Sequence, residues 1–533
     1  MRIVHGLCLL MTCAMLLQSC GGARKAEPPA RLTLLVSGNT MGYLRNCGCA
    51  SGQYGGELRR ARVLKEQRDE ASKSSKGRDS EVLALDLGST LGGEEFIDRL
   101  YSRQVLKSMA QLDYGMIGLG KTDLLFGQAD LLDYIQQAEA AGGEGSVPIT
   151  AVNLHFSKPQ VGEDHSRELN ERIQKYRILT LPQGYRVGVI HAIDPGVTIT
   201  LEDGMKVGEK YGFDVMPMAK ATQQVLDVHR KEADFWIFTL SDGVEGVADP
   251  KPIADIEGLD LVIGFNQGNP NQTPGSDGVV WPFFVKGPIL KARDLVEITI
   301  NFPQSADDDR TVAARQLAVG SKVKGDETVL GLINDIWPEI EKYENEKLAS
   351  QTVKQRPAVM GQFTCRTCHQ NIYESMLLTK HQLAFESLVQ RAKEDPEQKN
   401  ADRDSKCLSC HTTLYISPHG GWNKIDKQEE LAMVSCESCH GPGEYHVIYM
   451  METAAGRTLE QIEQIPTDEF AIDGRNDKGI IRGSEDTCKQ CHDAENSPKF
   501  NFKEYWSRIE HSLDMPAPEQ AAEAGTAAVE DAH

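Results

Sequence analysis

The sequence predicts two folded parts of different class: an α/β layered domain over residues 31–305, and a mainly α, low-β domain over residues 356–513. Three observations carry this. In the first part, short apolar runs of strand length alternate with helical patterns, as in layered α/β domains. The second part has no such runs, and its stretches between motifs read as helical or irregular. It also carries the pentapeptide Cys-x-x-Cys-His four times at uneven intervals, which excludes a fixed structural repeat.

Bulk properties set the frame. A chain of 533 residues exceeds one ordinary core and implies two or three domains. Beyond the N-terminus no apolar run reaches the roughly 18 residues of a membrane span. The formal charge of −21, with no Lys/Arg block, argues against a nucleic-acid partner and suits a basic redox protein. Of the 13 cysteines, eight lie in the pentapeptides. Cys8 and Cys13 fall in the leader, Cys20 ends it, and only Cys47 and Cys49 remain, so the chain is not a disulfide-dense scaffold.

Taken in order, Arg2 and the apolar stretch Leu7 to Leu17 have the form of an export signal over residues 1–19. Leu17-Gln18-Ser19-Cys20-Gly21-Gly22 resembles a bacterial lipobox, with Gln18 departing from the usual small or aliphatic residue; the alternative is an ordinary secretory signal. A lipid on Cys20 would anchor the chain to a membrane without spanning it, on the periplasmic side, at the outer membrane or at the cell surface. Residues 20–30 then read as a tether.

In the first domain, strand-like runs occur at Arg31–Ser37, Val82–Asp86, Tyr114–Gly118, Val147–Val152, Tyr185–His191, Phe235–Leu240 and Leu259–Ile263. Helical patterns cover Glu57–Arg68, Phe96–Gln111 and Ala219–Lys231. Residues 268–278 form a loop by composition, and Trp281–Val285 and Leu295–Ile300 read as closing strands. Cys47 and Cys49, one residue apart in a glycine-rich stretch, suit either a structural turn or a soft-metal or thiol-exchange site.

The order of segments over residues 31–300 resembles the calcineurin-like metallophosphatase domain of the 5′-nucleotidase family. That family opens on Asp-x-His-Gly; this chain has Asn39-Thr40-Met41-Gly42. Its Gly-Asp, Gly-Asn-His-Glu/Asp, Leu-Ser-His and Gly-His-x-His correspond to Gly88-Ser89, Gly120-Lys121-Thr122-Asp123, Leu240-Ser241-Asp242 and Gly264-Phe265-Asn266-Gln267. The frame is similar, but nearly every metal-binding side chain is absent. A two-metal site needs carboxylate, imidazole and amide ligands converging on two ions. Met41, Ser89, Thr122 and Phe265 are poor substitutes, and Lys121 puts a positive charge in a ligand's place. The resemblance therefore implies a phosphoesterase-like scaffold without its metal chemistry. Asp86, Asp123, Asp242 and Asn39 remain as material for some other site.

Residues 306–355 form a connector. Asn301–Arg310 reads as an exposed loop, and Thr328–Ser350 as a helix that Pro338 should kink or divide.

The pentapeptides start at Cys365, Cys407, Cys436 and Cys488. Their partner cysteines are Cys368, Cys410, Cys439 and Cys491, followed by His369, His411, His440 and His492. Two thiols at this spacing can each add to a vinyl group of one porphyrin, and the histidine then binds the iron from one face. Zinc also uses Cys-x-x-Cys pairs but needs no histidine directly after the second cysteine. Four covalently attached c-type haems follow. A domain of this size carrying them has little side-chain core, so the porphyrins should supply much of its interior. Four more histidines, His381, His419, His446 and His511, are candidate sixth ligands. Asn371–Gln390 reads as one helix, which would separate His369 from His381 by roughly 18 Å and assign His381 to a different haem.

These sites, with Cys436-Glu-Ser-Cys-His-Gly-Pro-Gly443 and His446 shortly after, resemble the tetrahaem cytochrome c554 family. The resemblance implies close-packed haem pairs, electron shuttling, and one haem without a sixth protein ligand, with His419 as the candidate non-ligand. Residues 514–533 read as a disordered acidic tail, with His533 inert. The expected function is an exported electron carrier with unidentified donor and acceptor proteins and a non-catalytic phosphoesterase-like domain. The alternatives are a multihaem oxidoreductase acting on a small nitrogen or sulfur compound at an open iron, and a 5′-nucleotidase-like hydrolase with an accessory haem domain.

Overall fold

The computed structural model describes residues 27–45, 54–74, 80–93, 95–143, 145–194, 200–201, 204–241, 253, 256–264, 283–285, 291–303, 309–350, 355–465, 478–493 and 496–512. The leader with Cys20, the Cys47–Cys49 stretch, Asp242, Phe265–Gln267, the loop 268–278 and the tail with His533 lie outside the described residues. Contacts divide the chain into two units. One runs to Leu44 and from Gly55 to Val319; the other starts at Gly320 and includes Arg45 and Tyr54. Among the described residues no helix is long and apolar enough to cross a membrane.

The first unit contains thirteen strands: β1 Arg31–Ser37, β2 Ser80–Asp86, β3 Met116–Gly118, β4 Ile149–Thr150, β5 Leu154–Phe156, β6 Arg177–Thr180, β7 Arg186–Ala192, β8 Phe213–Val215, β9 Phe235–Leu240, β10 Leu261–Ile263, β11 Phe283–Val285, β12 Asp294–Asn301 and β13 Thr311–Ala318. They form a six-stranded sheet in the order β13-β12-β1-β2-β3-β4, a five-stranded sheet in the order β11-β10-β9-β7-β6, and the pair β5-β8. The inner faces of the two large sheets share one core. Leu32, Leu34 and Val36 alternate along β1 into it and meet Val187, Val189, Phe235 and Ile237. Full burial of such a side chain contributes about 1.5–3 kcal/mol over its exposed state. The outer face of the second sheet packs Trp236 and Phe238 against Ala221, Val225 and Leu226 of the helix Met218–His229. The helices Glu57–Ser74, Phe96–Ala110 and Gln128–Gly142 each bury an apolar stripe, such as Leu131, Ile135 and Ala138 on the last.

The layered α/β class expected for this part is what the structure has. The boundary at residue 305 needs correction, because β13 extends the first sheet. It pairs antiparallel with β12 from Thr311 opposite Asn301 to Ala318 opposite Asp294, with Arg315 bridging the facing Glu297 at 2.7 Å.

From Gly320 onward, the stretch read as a connector belongs to the second unit. Asp326 caps the helix Glu327–Asp335 by accepting from Thr328 and Val329, and the helix Trp337–Ser350 follows after a break at Ile336. Pro338 sits in the first turn of the second helix, where its missing N–H costs nothing. Both helices are tied to later chain: Asn334 accepts from Asn400, Glu341 pairs with Arg403, and Glu344 pairs with Lys424.

The rest of this unit is short helices and turns, with no strand among its described residues. The expected single helix Asn371–Gln390 is a further correction. Gln370–Leu377 ends at Thr379, whose hydroxyl donates to Met376 O at 2.7 Å, and a 3₁₀ turn Lys380–Leu383 leads into the helix Ala384–Glu394. A side chain that bonds its own backbone competes with helix continuation. The apolar core is small: Leu388, Ala401, Leu408, Trp422 and Leu431 form one cluster, and Tyr445, Ile462 and Ile465 another.

Candidate haem-binding site

Each pentapeptide begins on a short helix: Gln362–Arg366, Ser405–His411, Cys436–His440 and Glu485–Lys489. One helical turn puts the cysteines, three residues apart, on the same side and carries the histidine to the end of the turn. Asp404 caps the second helix by accepting from Lys406 N, and Ser484 caps the fourth by accepting from Thr487 N. Arg45 pairs with Asp404 at 3.6 Å and lies over the Trp337 ring.

The four motifs are neighbours in space. Cys365 lies close enough to Cys436, Cys410 to Cys491, and Cys439 to Cys488 for each pair to interact electrostatically. Motif one therefore adjoins motif three, three adjoins four, and four adjoins two.

Three motif histidines face a second histidine ring. The centres of His369 and His446 are 6.2 Å apart, those of His492 and His381 6.1 Å, and those of His440 and His511 5.8 Å. Their planes are rotated by 20°, 55° and 67° respectively. An imidazole bound through nitrogen places its centre about 3.1 Å from a metal, from a bond of about 2.0 Å plus about 1.1 Å within the ring. Two such rings on opposite faces of one iron stand about 6.2 Å apart, which the three pairs match. His411 differs: among the described residues no second histidine ring faces it in this way.

The ring nitrogens away from the pairing are held. The Nδ1 of His440 bonds Ile481 O, that of His446 bonds Lys478 O, that of His511 bonds Ile509 O, and that of His492 meets Ser497 Oγ, all at 2.8–2.9 Å. His411 Nδ1 bonds Ala384 O at 2.7 Å. Such bonds fix the tautomer and leave Nε2 as the metal-binding atom. Burial also depresses the pKa of His369, His381, His411, His440 and His492, which favours the neutral, ligating form.

His419 faces no second histidine ring among the described residues, although its Nδ1 is held by a carbonyl as those of His411, His440, His446 and His511 are. Its Nδ1 bonds Pro357 O at 2.8 Å and its carbonyl takes the Val359 N–H at 2.8 Å, so it anchors the strand-like segment leading into motif one. Large apolar side chains near the motif histidines in sequence, Phe363, Leu378, Leu383 and Met451, are each more than half exposed. Donor set and ring spacing fit a covalently held haem.

Residues 364–441 match the family cytochrome c554 and c-prime. The match spans the first three motifs and implies covalently bound c-type haem with iron. Over 90 residues the chain is 33% identical to cytochrome c-554 of Nitrosomonas europaea, which covers 16% of this chain and 38% of that protein. The chain thus spans well under half the length of that relative.

Solved structures similar to the larger part of the chain include a calcineurin-like phosphoesterase, 5′-nucleotidases and a sulfate thiohydrolase. The calcineurin-like phosphoesterase of Bacillus subtilis is 17% identical with a TM-score of 0.42, covering 59% of this chain and 99% of that one. A 5′-nucleotidase precursor from Thermus thermophilus is 16% identical with a TM-score of 0.43, covering 58% of this chain and 59% of that one. The sulfate thiohydrolase of Thermus thermophilus is 14% identical with a TM-score of 0.45, covering 60% of this chain and 62% of that one.

The first unit's strand ends gather the other residues singled out from the sequence. Asn39, Met41 and Ser89 adopt left-handed backbone (φ 50°, 51° and 52°) after β1 and β2. Between them lies the Asp123 carboxylate. Its Oδ2 accepts from Ser89 N and Gly120 N at 2.8 and 2.7 Å, and its Oδ1 from Thr90 N and Leu91 N at 2.9 and 2.7 Å. Burial pushes this carboxyl up to about 7, against the pull of its N–H donors toward the anion. Asp86 is engaged by Ser37 Oγ at 2.6 Å, Gly88 N at 2.9 Å and Thr90 Oγ1 at 3.1 Å. Both carboxylates serve as hydrogen-bond hubs of the strand-end loops. Among the described residues no group of three or more His, Cys, Asp or Glu is arranged to hold a metal ion.

The sequence did not reveal which histidines face one another or which carbonyls orient them. Neither has a local signal, because the partners lie far apart in the chain.

Proposed function

We propose that this protein is an exported tetrahaem electron carrier. The observation that carries this is the spacing of the three histidine pairs, close to the separation of two axial imidazoles. Cys365 and Cys368, Cys407 and Cys410, Cys436 and Cys439, and Cys488 and Cys491 would hold the porphyrins; haem iron supplies reversible one-electron chemistry when bound. His369 with His446, His492 with His381, and His440 with His511 would occupy both faces of three irons, closing them to substrate. His411 would bind the fourth from one side. The contiguous order of the motifs, one beside three, three beside four and four beside two, supports passage of electrons through the whole unit to donor and acceptor proteins.

Export fits haem attachment outside the cytoplasm, and the leader ending at Cys20 supports a lipid anchor. The first unit is read as a non-catalytic scaffold, because its strand-end carboxylates are saturated with N–H and O–H donors.

One observation favours a second reading. The unpaired His411 leaves room for an exogenous ligand opposite it, as in a multihaem oxidoreductase acting on a small nitrogen or sulfur compound. Mass spectrometry and the ferric spectrum of the exported protein test both readings. Four haem additions with about one quarter of the iron high-spin are expected. A colourless protein, or fewer than four additions, overturns the tetrahaem reading. Turnover of a small ligand with a matching shift of the high-spin signal selects the enzyme. Cys20→Ser should release the protein from the membrane fraction; retention there refutes the lipid anchor.

A further inference from the structure

We propose that Glu437, a residue of the third motif, is the positioning residue for the iron ligands of the first. The proposal rests on the haem reading above and concerns how the chain holds His369 and His446 in register. Glu437 lies between Cys436 and Cys439 and is 2% exposed. Its Oε1 accepts from Met360 N and Gly443 N, both at 2.8 Å, and its Oε2 from Gly361 N at 2.9 Å.

Those three donors are not arbitrary. Gly361 caps the helix Gln362–Arg366, which carries Cys365 and leads to His369. Gly443 caps the helix Glu444–Ala454, which carries His446. One buried carboxylate thus fixes the start of both elements whose histidines face each other at 6.2 Å. Gly361 can make this approach because its φ is +78°, and a Cβ there would come within 2.3 Å of the Glu430 carboxylate. A second clasp runs parallel: Glu444 Oε2 accepts from Ala358 N at 2.7 Å, holding the same incoming segment one turn earlier. His440 shares the Cys436–His440 helix with Glu437, but the Glu437 carboxylate itself bonds only the segments that lead to His369 and His446. His440 and His511 depend on Ile481 and Ile509, and His492 on Ser497.

A ligand pair tolerates little drift, since support a fraction of an ångström too loose leaves a site present but not formed. Glu437→Gln keeps the shape and one acceptor oxygen, but it turns an NH₂ toward at least one backbone N–H. The start of one of the two helices then moves, and His446 or His369 loses its place at the iron.

The test is low-temperature electron paramagnetic resonance of the full-length exported holoprotein, with haem content measured on the same sample. His446→Ala serves as reference for the signal of the His369/His446 pair. Glu437→Gln is expected to keep four haems, lose that one low-spin signal, and raise high-spin iron from about one quarter to about one half, with the other two signals unchanged. Free imidazole should restore the low-spin form. Unchanged signals, or a loss spread evenly over all three pairs, overturn the proposal. If Glu437→Gln fails to mature, Glu437→Asp is read in the same way, with a partial loss confined to the same signal expected and an even loss overturning it. Wild-type protein without haem refutes the haem reading instead, which keeps the two failures distinct.

Discussion

His381→Ala gives the most direct test of the histidine pairing. The residue sits on the 3₁₀ turn Lys380–Leu383, with its ring 6.1 Å from that of His492. Its carbonyl accepts from Val434 N at 3.1 Å, a bond the substitution leaves intact. Three of the four motif histidines face a partner ring, so on the tetrahaem proposal about one quarter of the iron would be open. Removing the His381 ring opens the iron at His492 and doubles that fraction to about one half. The packing loss is that of one partly buried ring, about 1–3 kcal/mol, too little to unfold the unit. The assay is the high-spin fraction of the ferric protein at constant haem content, with and without added imidazole. His419→Ala in parallel should leave the fraction unchanged, because its ring faces no motif histidine among the described residues. A His381→Ala protein indistinguishable from wild type, or a rise in His419→Ala instead, refutes the pairing.

Asp123→Asn should destabilise the first unit by about 2–6 kcal/mol, since two of its four buried N–H partners would then face an NH₂ at about 1–3 kcal/mol each; calorimetry with a loss below about 1 kcal/mol contradicts the hub role. His191, whose ring bonds Thr239 Oγ1 and Leu119 O, is depressed by burial to about 4. Because its folded pKa lies below the unfolded value near 6.5, this histidine costs the fold nothing above pH 6.5. It removes stability as pH falls from 6.5 to 4, about 3 kcal/mol in total, and no more below that. His191→Gln should flatten that part of the pH profile of thermal unfolding. Protein made without haem attachment should lose protease resistance in the second unit and keep it in the first, because the clusters around Leu388 and Tyr445 are too small to stand alone. Equal resistance of both units contradicts that reading.

Much of the layered first unit was legible because its strands are buried on both faces. Arg31–Ser37 and Phe235–Leu240 are mostly apolar runs and form strands over those residues. β13 was not legible, since Thr311–Ala318 is an edge strand with half-exposed side chains and one charged pair across it. The helix Gln128–Gly142 also went unread, although it carries an apolar stripe. The break at Thr379 came from a side-chain bond to Met376 O that no apolar period reports. At the site, the cysteines and the histidines that follow them announce themselves by spacing. Which distant histidine stands opposite is decided by packing, and so is the role of Glu437, whose partners Met360 and Gly361 precede it by some 75 positions.

If the chain is exported N-terminus first, as proposed, the histidine pairs also set a timetable for it. His381 has already emerged when His492 arrives, so the last motif finds its opposite ring waiting. His369 and His440 must wait for His446 and His511, and His511 is almost the last of the described residues. A stop codon a few positions before His511 would spare every attachment cysteine yet strand the third motif with one imidazole.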